Sequence, residues 1–409
     1  MSPEQLLALR DQAGVPSHPA IFLVLGVLTF ALHIAAVQVM LGAAGLTLWG
    51  AFRQGPLWQR LSALMLSTAK VAVSVAIVLG VAPLLFVQVT YDPFWYTSNV
   101  LSARWVIAFV GILIAGYLAI YLYYWRNQRP GGRGSGRHPW LMVLSVILLL
   151  KVGFIVHVLS YQMHFPEQWM AWYAPGGVID PGGRGLHAFH LPRFLFFILL
   201  AVPVLGVWLL ALRRYLQARP GEDPAFLAFL NTLAARLTVP GGILALAMGA
   251  WWMATLPSKM ATSALSPWTL LAALALVATV FLPWALGKRL DEGLWGYAPF
   301  ALGAVALILV GVARELIRYR TLLGGHGYDP LSYRIQMDWY STLTFFLTFG
   351  VLGAATLGYM ITVAWRAGQT PGIYTPTVGV ARLGRWATML IGLWILHYFI
   401  LGFCTWGGL

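Results

Sequence analysis

Phe30-Ala31-Leu32-His33-Ile34-Ala35-Ala36-Val37 lies in the middle of an apolar run over residues 20–50. The run exceeds the roughly 20 residues a helix needs to cross a bilayer. Lipid offers an imidazole no hydrogen-bond partner, so a histidine at that depth is a functional-site hypothesis by default. The pattern recurs along the chain. Further apolar stretches cover 62–89, 103–125, 140–162, 193–213, 238–256, 267–287, 296–317, 339–364 and 388–408. His157 and His397 sit inside two of them. The predicted fold class is all-α integral membrane, with about ten transmembrane helices in one polytopic domain over 1–409.

Composition agrees. Sixty per cent of the 409 residues are hydrophobic and nine per cent are charged, against roughly 25% charged in soluble domains. The mean hydropathy is +0.77. A net charge of +14 does not indicate a nucleic-acid partner, because the basic residues lie mostly in short connections. There they read as a topology signal. Connections after odd-numbered spans hold Arg53, Arg60, Arg126, Arg129, Arg133, Arg137, Arg213, Arg214, Arg219, Arg236, Lys288, Arg289, Arg366, Arg382 and Arg385. The other side holds Arg10, Arg104, Arg184, Arg193, Lys259, Arg314, Arg318, Arg320 and Arg334. The richer side is expected to be cytoplasmic, which leaves both termini outside. The connection after the eighth span dissents, being basic yet assigned to the outer side.

Turn signals fall between spans, at Gln54-Gly55-Pro56, Arg129-Pro130-Gly131-Gly132, Arg219-Pro220-Gly221 and Gly368-Gln369-Thr370-Pro371. The start, Ser2-Pro3-Glu4-Gln5, is polar rather than basic and does not read as a cleavable signal peptide. Ser2 as N-cap and Pro3 after it predict a short helix. One cysteine, Cys404, is present, which excludes an internal disulfide and a thiolate metal cluster built from this chain. No CxxCH occurs, so a haem would be held non-covalently.

Imidazole readily ligates haem iron, which makes His33, His157 and His397 the candidate metal ligands. Helical spacing places Gly26, Phe30, His33, Val37 and Met40 on one stripe, and Gly42 and Gly45 follow. The bland reading is a hydrogen-bonded histidine among packing glycines. His33 with His397, or His33 with His157, would each make a bis-histidine pair. His157, Tyr161 and His164 share a face, and Lys151 is expected to point into the bundle as a partner for a propionate or a quinone carbonyl. A long outer loop at about 163–192 adds His187 and His190, expected as cofactor, quinone or partner contacts. Glu315 between Arg314 and Arg318 reads as structural ion pairing. The spans hold almost no Asp or Glu, unlike a proton or cation relay.

Leu32-His33 with Val39-Met40-Leu41-Gly42, together with Gly80-Val81-Ala82-Pro83-Leu84-Leu85-Phe86-Val87-Gln88 and Phe94-Trp95-Tyr96-Thr97-Ser98, resembles a group of bacterial polytopic membrane proteins. These are similar to cytochrome bd oxidase subunit I and to b-type membrane partners of c-type cytochromes. The resemblance covers mainly the first 125 residues. It implies a first-span haem ligand, here His33. That enzyme's quinol-loop motif and its other haem-ligand contexts have no match, so the resemblance implies quinol oxidation and electron transfer rather than oxygen reduction. The expected protein is a subunit of the bacterial inner membrane carrying haem b and meeting quinone. Its expected partners are lipid, a periplasmic c-type cytochrome and other complex subunits. The alternatives are a haem-free anchor or quinone-binding scaffold and, last, a transporter, for which a broken helix near Pro83 is the support.

Overall fold

The computed structural model describes residues 3–127 and 138–407. Ser2, the Arg129–Gly132 turn, Arg133 and Arg137 fall outside the described residues. Among the described residues there is no strand. Ten helices are long and apolar enough to cross a membrane. They are Pro19–Ala51, Pro56–Thr90, Ala103–Asn127, Pro139–Gln162, Leu191–Gln217, Pro224–Ala254, Pro267–Asp291, Trp295–His326, Trp339–Ala367 and Val378–Trp406, here spans one to ten. A short helix, Pro3–Ala8, precedes them. Prolines open several spans, where a missing N–H costs nothing because the first helical donors have no partner anyway.

Span two runs unbroken from Pro56 to Thr90 with Pro83 inside it, so the broken helix expected there is absent. Membrane helices tolerate proline because neighbouring groups take up the freed carbonyl. Breaks occur elsewhere. Span five divides at Leu200, and span nine contains a π-helical stretch at Leu347–Leu352.

The chain forms two compact units. The first comprises Met1–Gln12, Pro19–Arg214 and Ala225–Tyr333, and the second comprises Ala13–His18, Tyr215–Pro224 and Arg334–Leu409. In the first unit, spans one and two, three and four, and seven and eight form close pairs, and span eight also packs on span one. Small residues allow this approach. A Cβ at Gly50 would lie 2.9 Å from Ser62 Cβ, and Ser62 Oγ donates to the Thr47 carbonyl at 3.1 Å. Ser145 Oγ likewise donates to the Gly116 carbonyl at 2.6 Å. Gly42, on the histidine-bearing span, would place a Cβ 2.7 Å from Leu205 Cβ and 2.9 Å from the Ala201 carbonyl. It therefore serves packing against span five.

In the second unit, spans nine and ten lie side by side, and their outer faces carry exposed Leu, Ile, Phe and Trp side chains. Such faces suit contact with lipid. Trp394 Nε1 donates to Thr348 Oγ1 at 2.9 Å, within the π-helical stretch.

Candidate functional site

His33 belongs to the first unit. Its Nδ1 lies 2.8 Å from the Ala76 carbonyl, which only a protonated nitrogen can approach as donor. That fixes the tautomer and leaves Nε2 as the ring's lone-pair nitrogen. Gly80, one turn further along span two, makes room for the ring. A Cβ there would stand 2.9 Å from both His33 Cε1 and Nδ1. Iron-ligating histidines use this same arrangement, one ring N–H held by a carbonyl and the other nitrogen facing the metal.

His157 is buried near the far end of span four. Its Nε2 accepts the backbone N–H of His190 at 3.1 Å. Its ring stacks on Tyr161 with 6° between the planes and contacts Phe194 at 5.4 Å between centroids. Phe154 joins through Phe189 and Phe194. Phe189 is exposed, so this aromatic group reaches the protein surface.

The segment between spans four and five is folded rather than loose. Two 3-10 turns and a short helix, Trp169–Tyr173, occupy it. His187 Nε2 donates to the Leu101 carbonyl at 3.2 Å, and its ring stacks on Trp172 at 5.1 Å. His190 Nε2 donates to the Thr255 carbonyl at 3.0 Å. His190 Nδ1 caps span five by accepting from the Arg193 N–H at 3.4 Å. Burial lowers the His190 pKa, and the Arg193 charge adds to the effect.

His164 is also buried. Its Nδ1 donates to the Tyr161 carbonyl at 3.0 Å, while Nε2 has no partner. Burial holds its pKa well below the usual histidine range, and the charge of Arg318 pushes the same way. The neutral ring helps line a cavity completed by Tyr161, Arg193, Trp252, Arg314 and Arg318, among others. The three arginines come from two elements. Arg193 begins span five, and Arg314 and Arg318 stand four apart on span eight, hence on one face. The Arg314 guanidinium lies 4.2 Å over the Phe30 ring, one turn before His33.

Glu315 accepts from Arg318 at 3.1 Å and from Tyr91 Oη at 2.8 Å, and lies 3.7 Å from Arg314. Beyond it, Asp92 accepts from the backbone N–H of Asp11 at 3.0 Å and from the hydroxyls of Tyr328 and Tyr333. Burial raises the Asp92 pKa despite those donors.

The structure thus gathers His157, His164, His187 and His190 around one end of spans four and five. The span that carries His33 meets that region through Arg314 on Phe30 and through Phe197 on Phe30 and Gln38. Lys151 does not point into the bundle as expected. It is exposed, with Nζ 4.9 Å from the Trp105 ring centroid. A long flexible stem lets an ammonium escape an apolar interior and settle on an aromatic face. His397, in the second unit, is exposed, and its Nε2 pairs with Tyr340 Oη at 2.8 Å. Sequence reasoning counted the three arginines towards topology and paired Arg314 and Arg318 with Glu315, which the structure bears out, but missed the cavity they share with Arg193. The available signal was Arg314-Glu315 at the end of an otherwise apolar run, with Arg318 on the same face.

Among the described residues no three His, Cys, Asp or Glu side chains converge to hold a metal ion. A haem makes no such demand, since it needs only axial ligands from the protein. The chain matches no protein-family model and no curated protein.

Proposed function

We propose that this chain is a b-haem-bearing, quinone-interacting membrane subunit of a respiratory electron-transfer complex, passing electrons between quinol and a periplasmic c-type cytochrome. The observation that carries the reading is His33. Its Nδ1 is committed to the Ala76 carbonyl, its ring is seated against Gly80, and Nε2 is left with the lone pair that could ligate iron. Bound haem supplies one-electron chemistry that no side chain here provides. His33 would hold the iron. His157 and His397 spend their Nε2 atoms on His190 N–H and Tyr340 Oη. His157, in the same unit as His33, could offer Nε2 as a second ligand by giving up that bond.

The aromatic group of Phe154, His157, Tyr161, Phe189 and Phe194 supports the quinone part. It offers flat rings for stacking and an exposed edge for entry from the bilayer. Quinol oxidation at that end would release protons on the same side. The charge pattern supports placing this side and both termini outside, in the bacterial inner membrane. Arg193, Arg314 and Arg318 are packed inside the helices rather than displayed in connections. That removes three residues from the smaller basic set and softens the dissent of the eighth connection.

The deciding experiment is a dithionite-reduced minus oxidised visible spectrum of the purified protein, with pyridine haemochrome quantification. The expected result is b-type haem near stoichiometric with protein, lost in His33→Ala. A haem-free protein would overturn the reading. It would favour a quinone-binding scaffold or membrane anchor, in which the histidines act as hydrogen-bond partners. The engaged Nε2 atoms of His157 and His397 are the observation on that side.

A further inference from the structure

We propose that the cavity between Tyr161, His164, Arg193, Arg314 and Arg318 binds a carboxylate. Three guanidinium groups line this space, and Glu315 is the carboxylate that meets them. The nearby Lys259 and Glu167 pair with each other at 2.6 Å and cancel. His164 is neutral. Among the described residues two positive charges therefore remain without a counter-charge in a buried region, an arrangement that is costly unless an anion joins it.

Hydrogen-bond capacity gives the same answer independently. Arg193 is spent only in part, on Ser160 Oγ at 3.2 Å. Arg318 Nε and His164 Nε2 are buried without any partner. Arg314 lies beyond hydrogen-bond distance of Glu315 and rests on the Phe30 ring. Guanidinium forks match the planar geometry of a carboxylate. The remaining walls, Trp252, Leu256, Met260 and Ile317, are apolar or aromatic. A carboxylate on a hydrocarbon stem suits that mixed lining. Two sources share that chemistry, a free small carboxylic acid and the propionate of a haem on His33. The second source rests on the function proposed above, and the first does not.

The test is a thermal-unfolding titration of the full chain in detergent with glutarate, against chloride at equal ionic strength. It is paired with haem quantification and a redox titration of wild type, Arg193→Gln, Arg318→Gln and the exposed control Lys151→Gln. A saturable rise in Tm with glutarate alone, with at least tenfold weaker half-saturation in both arginine variants, shows an exchangeable carboxylate site. No response to glutarate, with a haem midpoint potential lowered in both arginine variants but not in Lys151→Gln, shows the carboxylate to be the haem's own. The absence of both responses overturns the site, whether or not haem is present. The glutarate titration of wild type needs no variant, so an unfolded variant does not spare the proposal. A haem-free protein that answers glutarate keeps this site and loses the haem reading. A haem protein with neither response does the reverse.

Discussion

His33 and His397 look alike in sequence, each a lone imidazole midway along an apolar helix, yet the two units treat them differently. In the first unit His33 is held by a backbone carbonyl and seated against a glycine of the neighbouring helix. In the second, His397 lies on an exposed helix face with a tyrosine hydroxyl for company. Spans nine and ten bury almost no side chain, whereas spans one to eight bury serines, threonines, two glutamines, an asparagine, a histidine and two arginines. Depth in an apolar run therefore says that a polar group needs a partner. Packing decides whether that partner leaves a nitrogen free for chemistry.

The sharpest way to break this comparison is to remove each histidine. His33→Ala is expected to reduce haem per protein by tenfold or more in a pyridine haemochrome assay, while His397→Ala leaves it unchanged. Equal losses would put the ligand in both units, and loss only in His397→Ala would reverse the assignment.

Glycines give a gentler version. Gly80→Ala forces a Cβ to 2.9 Å from the His33 ring, and overpacking of this kind costs about 1–3 kcal/mol. A shifted haem spectrum and several-fold lower occupancy are expected. Gly392→Ala in span ten meets nothing within 4 Å and should stabilise its helix by at most about 1 kcal/mol. Thermal melts and spectra of the two variants check this, and a silent Gly80→Ala would remove the reason for the glycine.

Two smaller effects concern pH. The Asp92 pKa is raised in the fold, so the native state holds its proton more tightly than the unfolded chain. Its contribution to stability is then greatest at low pH and declines as pH rises above the unfolded value of about 3.9. Asp92→Asn should flatten that acid-side decline in Tm. A decline that persists unaltered in Asp92→Asn would assign it to other groups. His164 is shifted the other way. The unfolded chain takes up a proton near pH 6.5 that the native ring refuses, so stability falls as pH drops through that value. His164→Gln should lose this component, measured as the difference in Tm between neutral and mildly acidic buffer. An identical difference in wild type and variant would show His164 to be proton-accessible in the fold.

Much of the architecture was legible in advance because lipid imposes a simple rule. Backbone groups must be satisfied within the helix, so a run of apolar side chains of sufficient length reads as a span. All ten expected spans have counterparts among the ten long apolar helices. Pro83 shows where local reasoning fails, since a proline that would break a helix in water is carried within a membrane span. The pairing of His157 with Tyr161 followed from helical spacing, whereas His164 meets Tyr161 from the turn after the helix ends at Gln162. His187 and His190 joined them through a folded segment that no periodicity describes.

The cavity arginines mark the boundary most clearly. In the sequence, Arg193, Arg314 and Arg318 are charges beside span ends, where basic residues also serve as topology signals. Their burial and their shared cavity depend on span eight packing near the start of span five, a long-range arrangement. Lys151 is the converse, placed centrally by sequence and found on an exposed face of span four beside Trp105. The sequence by itself determined the membrane class, the spans and the residues able to do chemistry, because hydropathy and side-chain type are local properties. Only the tertiary structure decided which of those residues meet, which nitrogens stay free and where charge is left uncompensated, because those depend on contacts between helices far apart in the chain.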